Sequence, residues 1–149
     1  SMLDLPPLQQ ARIVCSIMAA IKYQVPANIL LAIAEKEGGR PGMVNINKNG
    51  TFDIGPMQFN SAYLSELQKH GISPVYVAAK CCYPYDLAAW RLRKHLLYDT
   101  GNLWARAANY HSRTAQYNLP YRIDLMRKGY KWELSLECNL PFVPIAVPN

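Results

Sequence analysis

Residues 27–37 limit the possible folds of this chain more than any other stretch. The sequence "ANILLAIAEKE" is an almost continuous apolar run that ends in charged residues, with Pro26 before it and Gly38 and Gly39 after it. Proline suits the first turn of a helix and glycine suits the residue after its end, so a helix ending near Glu37 is predicted. Because the run is apolar, this helix is predicted to be buried.

Most of the remaining chain also predicts helices, so we expect a mainly α, single-domain protein over residues 1–149. A first helix is predicted to be capped by Asp4 and opened by Pro6 and Pro7. Its apolar residues at helical spacing are Leu8, Ile13, Val14, Ile17, Met18 and Ile21. Further helices are predicted at about 61–70, 84–98, from Asn102 onwards as a cap, and at about 119–134.

Residues 44–55, "VNINKNGTFDIG", interrupt the helical pattern. Asn49-Gly50 is a strong signal for a tight turn, because both residues tolerate a positive φ. Apolar residues alternate with polar ones on both sides of this turn, which predicts a small β-hairpin. An irregular loop is the alternative interpretation.

Composition restricts the class of protein. Half of the residues are hydrophobic and 17% are charged, which is typical of a globular chain. No apolar run approaches the roughly 20 residues of a membrane-spanning helix. Ser1-Met2 is typical of residues left by cloning, so we expect that any signal peptide has been removed.

The net charge of +6 suits an anionic partner such as nucleic acid, a membrane or the cell wall, although it also serves ordinary solubility. Since the basic residues are scattered, with no run beyond "RLRKH", we do not expect nucleic acid as the partner.

Glu37 is the first candidate for chemistry. Helical spacing places it on the same face as Ile29 and Ile33, whereas Glu35 and Lys36 are turned towards solvent. Partial burial and the negative end of the helix both disfavour the carboxylate, and both therefore raise the pKa of Glu37. A raised pKa is what a general acid needs at neutral pH. The alternative is a helix-end glutamate that pairs with Arg40.

Two short motifs follow Glu37 in the chain: "GPMQ" at 55–58 and "NYH" at 109–111. In this order, and on these predicted elements, they resemble the family-1 lytic transglycosylases, which are related to goose-type lysozyme. That family commonly has Ser after the catalytic Glu, then G-L-M-Q and A-Y-N, so Gly38, Pro56 and His111 are departures. The stretches "NKNGTFDIGPMQFN", "CYPYDLAAW" and "ANYHSRT" look most like the specialised transglycosylases of secretion and conjugation machineries.

The resemblance covers about residues 12–128 and implies a lysozyme-like fold, with a proline-rich tail at 138–149 outside it. It implies a periplasmic enzyme that cleaves the β-1,4 bond between N-acetylmuramic acid and N-acetylglucosamine in peptidoglycan. The products would be 1,6-anhydro sugars, formed by Glu37 alone without a cofactor, and the partners would include components of the secretion or conjugation apparatus.

Two other functions are kept as alternatives. One is a true lysozyme, in which Asp53 serves as a second carboxylate and activates water. The other is a glycan-binding or scaffold protein with little turnover. Asp53 has an alternative role of its own, which is hydrogen bonding within the hairpin.

The resemblance assigns further residues to the substrate cleft: Gly38, Met57, Gln58, Tyr110, His111 and Tyr121. We expect Met57 to form an apolar wall and Gln58 to bind an acetamido group. Tyr110 is expected to hydrogen-bond near Glu37, and Tyr121 is expected at a sugar subsite. Since the three histidines show no ligand spacing with Cys or Asp, no metal site is expected.

Four cysteines complete the list of candidates. Cys81 and Cys82 are adjacent, and a strain-free bridge between neighbours is rare. If the cysteines are oxidised, Cys81 and Cys82 each pair with one of Cys15 and Cys138, which leaves two possible connectivities. The alternative is four reduced, buried thiols. The resemblance to secretion-linked transglycosylases implies the pair Cys15–Cys82, with Cys81–Cys138 as a weaker remainder. Peptidoglycan lies outside the cytoplasmic membrane, where disulfides persist.

Overall fold

In a computed structural model that describes residues 4–79 and 81–139, the chain is mainly helical with a small antiparallel sheet, and this confirms the predicted fold class. The helices are α1 Pro7–Tyr23, α2 Ala27–Glu37, α3 Ser61–Gln68, α4 Pro74–Ala79, α5 Tyr83–Tyr98, α6 Leu103–Ala108 and α7 Ala115–Asn139. The strands are β1 Val44–Ile46, β2 Phe52–Ile54 and β3 Phe59–Asn60. Most of the predicted tail, 140–149, lies outside the described residues. None of the described helices has the length and apolarity that crossing a membrane requires.

Helix α2 is buried, as its apolar sequence predicts. All residues from Ala27 to Ala34 are buried, and α1, α5 and α7 pack against them. Even the polar Asn28 is fully buried, and its amide donates a hydrogen bond to the carbonyl oxygen of Gly129 at 3.4 Å. The helix therefore reaches solvent only at its C-terminal end.

Helix α1 differs from the sequence prediction in two respects. Its N-cap is Pro6 and no side chain caps it, so the predicted cap by Asp4 is wrong. The face that packs on α2 and α5 is made mainly of small residues, which allow a close approach: Ile13, Cys15, Ser16, Ala19 and Ala20. As a result, four of the larger apolar residues are exposed: Leu8, Val14, Met18 and Ile21.

The predicted hairpin is confirmed, and a third strand extends it. Strands β1 and β2 pair antiparallel, with Asn45 opposite Asp53, and β3 adds to the other edge of β2, with Asn60 opposite Asp53. The side chain of Asn49 accepts a hydrogen bond from the backbone N–H of Thr51 at 3.0 Å, which shapes the turn. The sheet is thus a small platform with a row of polar side chains around Asp53.

Helix α4 was not predicted from the sequence, and helix α7 is longer at both ends than predicted. Helix α4 is short, and its signal is Ser73 before Pro74, since the Ser73 hydroxyl accepts a hydrogen bond from the Val75 N–H at 3.3 Å. Helix α7 begins four residues before the predicted start, with Pro120 inside it, and it continues beyond the predicted end to Asn139.

The double glycine after α2 has two separate roles. Gly38 adopts φ +60° and its N–H donates to the carbonyl of Ala34 at 3.0 Å, which ends the helix. Gly39 lies so close to the sheet that a Cβ there would be 2.1 Å from the Gly55 carbonyl oxygen. A Cβ at Gly55 would lie only 2.7 Å from the Val77 carbonyl oxygen, so this position cannot hold a side chain either. The end of α2, the sheet and α4 therefore meet backbone to backbone.

This contact predicts that Gly39→Ala destabilises the protein by roughly 3 kcal/mol or more, because backbone atoms must move to admit the methyl group. Urea unfolding measures the change. Gly50→Ala is the control, since open space surrounds Gly50 and only its φ of +85° resists a side chain, at a cost of about 1 kcal/mol. A Gly39→Ala variant as stable as Gly50→Ala would contradict the close contact.

One disulfide joins α1 to the start of α5. Cys15 and Cys82 are bonded with their Cα atoms 5.1 Å apart, which confirms the predicted pair. Cys81 and Cys138 are free and exposed, so the predicted second pair is wrong. The reason is that α7 stays helical through Cys138 and packs on α2 and α6, whereas the prediction had an extended tail returning to Cys81.

Replacing both Cys15 and Cys82 by Ser should lower the free energy of unfolding by about 4 kcal/mol, because the bond closes a long loop in the unfolded chain. Urea unfolding under non-reducing conditions measures the loss. The variant Cys81→Ser/Cys138→Ser should match the wild type, since both thiols are free. Finding Cys15 and Cys82 as free thiols in a non-reducing peptide map would reject the pairing.

Candidate active site

Glu37 is the last residue of α2 and lies half-buried at the edge of a cleft. Its Oε2 accepts a hydrogen bond of 2.7 Å from the hydroxyl of Tyr121, so its partner is Tyr121 rather than Arg40. Glu35 is exposed, as the helical spacing predicts. Lys36 is not turned to solvent as predicted, because it is half-buried and its ammonium donates to Asp124 at 2.7 Å.

The surroundings of Glu37 raise its pKa above the ordinary value for a glutamate. Burial is the largest cause, and the negative charge of Asp53 acts in the same direction. The Tyr121 hydrogen bond opposes this rise, as do the positive charges of Arg91 and Lys36. Because burial prevails, the carboxyl group keeps its proton to a higher pH than an exposed glutamate would.

Tyr121 is held in place on several sides. It is buried, its ring stacks on the His111 ring at 4.5 Å with 3° between the planes, and the Lys36 ammonium lies 4.8 Å from the ring centroid. Burial and the nearby Glu37 carboxylate raise the pKa of Tyr121 well above its usual range. Its hydroxyl therefore remains a hydrogen-bond donor to Glu37 at all ordinary pH values.

Tyr110 was predicted to hydrogen-bond near Glu37, but it makes no hydrogen bond to the Glu37 carboxyl group. Its buried hydroxyl donates instead to the backbone carbonyl of Met57 at 3.3 Å. The predicted apolar wall is also wrong, because the Met57 side chain is fully buried in the core and does not line the cleft. Adjacent residues of this turn point in opposite directions, so Gln58 faces the cleft where Met57 faces the core.

The side chain of Gln58 is held by two hydrogen bonds, whereas Gly38 does not line the cleft. The Gln58 amide donates to the Gly55 carbonyl at 2.9 Å and accepts from the Asn45 amide at 2.7 Å. A primary amide has two N–H groups, so one remains that can face a ligand in the cleft. Gly38 is exposed at the end of α2 and lies outside the linings of the cavities beside Glu37.

Asp53 lies on β2 and lines the same cleft as Glu37. Its Oδ1 accepts from the Asn60 amide at 2.9 Å and its Oδ2 accepts from the Asn47 amide at 3.2 Å. These contacts match the alternative role predicted for Asp53, which was hydrogen bonding within the hairpin. Asp53 also influences Glu37 through its charge, so it belongs both to the sheet and to the electrostatics of the cleft.

Glu37 lines two cavities, one beside the sheet and one beside α7. The cavity on the sheet side has a volume of about 520 Å³, and polar side chains dominate its lining: Asn47, Asn49, Thr51, Asp53, Gln58 and Asn60. The cavity beside α7 has a volume of about 390 Å³ and is lined by Lys36, Pro120 and Tyr121. Both also include His111 and Tyr117. A chain of polar rings could therefore bind with its central linkage at Glu37.

Two residues that the sequence analysis did not select also shape this groove. The buried Asn118 donates to Asn109 Oδ1 at 2.9 Å and to the Ser112 carbonyl at 3.0 Å, which fixes the turn that carries His111. Arg91 lines the sheet-side cavity, although its sequence context, a basic stretch of α5, is typical of a solvated face. Within the part of the chain that is described, no group of three or more His, Cys, Asp or Glu residues could hold a metal ion.

Residues 14–123, which include Glu37, the turn at 55–58 and the turn at 109–111, match the family described as Transglycosylase SLT domain. The chain is also similar to Protein IpgF of Shigella flexneri, with 31% identity over 119 residues, or 76% of this chain and 78% of the relative. Invasion protein IagB of Salmonella typhimurium is 28% identical over 122 residues, or 80% of this chain and 73% of the relative. This chain therefore belongs to the transglycosylase SLT domain family.

Proposed function

We propose that this protein is a peptidoglycan lytic transglycosylase of the family-1, goose-lysozyme-like type. It cleaves the β-1,4 bond between N-acetylmuramic acid and N-acetylglucosamine and releases 1,6-anhydro products. The observation that carries the proposal is the Glu37 carboxyl group, which lines both cavities of a polar groove, with its pKa raised and its orientation fixed by Tyr121.

In the first step, the neutral Glu37 donates its proton to the oxygen of the scissile linkage. The bond from this oxygen to the anomeric carbon breaks, and its electron pair leaves with the N-acetylglucosamine fragment as a hydroxyl group. The positive charge left on the muramic acid ring is stabilised by the substrate's own N-acetyl group. Glu37 is then a carboxylate, and the Tyr121 hydroxyl that donates to it stabilises this charge.

In the second step, the Glu37 carboxylate removes the proton of the C6 hydroxyl on the muramic acid. The C6 oxygen attacks the anomeric carbon and closes the 1,6-anhydro ring, so no water is consumed. Glu37 regains its proton and is ready for the next bond. One carboxyl group thus suffices, because the substrate supplies the nucleophile that a second acid would otherwise activate or provide.

A second candidate, a true lysozyme, is favoured by the position of Asp53 in the same cleft as Glu37. In that mechanism Asp53 activates a water molecule. However, both oxygens of Asp53 accept hydrogen bonds from Asn47 and Asn60, which bind it into the sheet. We therefore favour the mechanism with Glu37 alone, in which Asp53 keeps the Glu37 proton in place through its charge.

We also propose that the protein acts in the periplasm and opens the cell wall for an envelope-spanning secretion or conjugation apparatus. The Cys15–Cys82 disulfide supports an oxidising compartment outside the cytoplasm. The description of the Salmonella relative as an invasion protein supports a role linked to such an apparatus. Residues of about 12–128 would form the catalytic core of the single domain.

Glu37→Gln should lower the rate of peptidoglycan cleavage by about 10²- to 10⁴-fold, because the amide keeps the shape of the side chain but has no proton to transfer. Release of soluble fragments from purified peptidoglycan measures the rate, and mass spectrometry should find 1,6-anhydro ends in the wild-type digest. Glu35→Gln is the matched control on the same helix, and because Glu35 is exposed it should retain wild-type activity.

Other outcomes select the alternatives. Reducing ends in place of anhydro ends, together with an equal loss of activity in Asp53→Asn, would establish the lysozyme mechanism. Binding of glycan fragments without any release by the wild type would identify a glycan-binding protein. A loss of activity in Glu35→Gln as large as in Glu37→Gln would reject the assignment of the acid.

A further inference from the structure

Arg91 on α5 is half-buried and forms no ion pair with a carboxylate of the described residues, although its charge acts on Glu37. Its guanidinium lies between two tyrosine rings, 4.3 Å from the centroid of Tyr63 and 4.6 Å from that of Tyr110. These contacts cover the faces of the group but leave the N–H donors along its edge without a hydrogen bond in the described chain. Since removing an arginine from water is costly when its charge is unpaired, this arrangement suits a ligand that brings an anion.

Arg91 lines two cavities. One is the sheet-side cavity next to Glu37, and the other is a further cavity of about 340 Å³. We call this further cavity the cationic pocket, and its basic residues are Arg91, Lys94 and Arg113. A ligand in the groove at Glu37 could therefore extend a branch past Arg91 into the cationic pocket.

Lys94 adds a second positive charge to the pocket. Its ammonium lies 3.7 Å from the centroid of the Trp90 ring and pairs with no carboxylate of the described chain. Burial and the neighbouring charge of Arg91 both lower the pKa of Lys94. Because burial and the Arg91 charge disfavour the ammonium form of Lys94, an anion entering the pocket would stabilise that form.

The carboxylate in the pocket, that of Asp99, is already satisfied. It contacts His95 Nδ1 at 2.6 Å, the Asn109 amide at 2.9 Å and Arg113 Nη2 at 2.9 Å. Burial alone would raise the pKa of Asp99, but these hydrogen bonds outweigh it and lower the pKa to about 2. Asp99 therefore balances the charge of Arg113, and neither Arg91 nor Lys94 forms an ion pair with a carboxylate of the described chain.

We propose that the cationic pocket binds a carboxylate of the peptide attached to the muramic acid residues of the substrate. This proposal rests on the proposed function, since it places a glycan strand in the groove at Glu37. The N-acetylated sugars are neutral, whereas the attached peptides carry carboxylates, so the peptides are the anionic branches of such a strand. The planar fork of an arginine side chain matches a carboxylate with two parallel hydrogen bonds. The protein thus prefers strands that carry peptides with free carboxylates.

Binding to the inactive Glu37→Gln variant tests this proposal. The two probes are tetrasaccharides of alternating N-acetylglucosamine and N-acetylmuramic acid, one with peptides bearing free carboxylates and one with the same peptides amidated. At low ionic strength, calorimetry should find the free-carboxylate probe bound at least about tenfold more tightly, as expected for a charge-assisted contact. The preference should shrink at about 0.5 M salt, because mobile ions screen the charges.

Adding Arg91→Gln and Lys94→Gln to the Glu37→Gln background should make the affinities for the two probes equal. The control carries Lys69→Gln and Lys131→Gln, which remove the same charge from exposed sites, and it should keep the preference. Continued binding of the amidated probe shows that the variant is folded. If the double change prevents folding, Lys94→Gln alone should still reduce the preference.

Equal affinity of the Glu37→Gln protein for both probes would overturn the proposal while leaving the transglycosylase assignment intact. A preference that survives the loss of Arg91 and Lys94 would also overturn it, and would place the contact elsewhere. If the protein binds neither probe, both the peptide pocket and the glycan substrate are rejected.

Discussion

Helix α2 can fold only if every side of it is covered, because residues 27–34 are all buried and almost all apolar. This requirement draws α1, α5 and α7 around it and leaves its C-terminal end as the place where it meets solvent. Gly38 ends the helix there, and the close contact of Gly39 with Gly55 fixes the sheet beside that end. Glu37 is therefore placed between the core and the groove by the same packing that stabilises the molecule.

That position explains how one carboxyl group could act as both acid and base. Burial favours the protonated form, which a general acid needs, whereas the Tyr121 hydrogen bond favours the carboxylate, which a base needs. The packing of α7 on α2 brings Tyr121 to Glu37, although the two residues are 84 positions apart in the chain. Arg91 contributes a positive charge to the same balance and, in our proposal, connects the groove to the cationic pocket.

Much of this arrangement could be predicted from the sequence. Local patterns of apolar residues, proline, glycine and asparagine predict four features: the limits of α2, the outward position of Glu35, the hairpin and the Asn102 cap. The disulfide Cys15–Cys82 followed from the family resemblance and not from local patterns.

Within the candidate site, the errors concern single side chains whose direction is set by tertiary packing. Met57 and Gln58 are neighbours in one turn, and only the path of the backbone decides which of them faces the core. Tyr110 was predicted to hydrogen-bond near Glu37 and Tyr121 to lie at a sugar subsite. Tyr121 is the residue that donates to Glu37, because of where α7 starts and how it packs on α2. Arg91 lies in a basic stretch, and nothing local shows that two distant tyrosines enclose it.

The central claim, that Glu37 is a buried acid balanced by Tyr121, is tested most directly by titrating its carboxyl carbon by ¹³C NMR. In the wild type, the pKa of Glu37 should lie above the ordinary value of about 4.3. In Tyr121→Phe it should rise further, because the lost hydroxyl is a donor that favours the carboxylate. A wild-type pKa at or below the ordinary value, or a fall of the pKa in Tyr121→Phe, would contradict this account of the site.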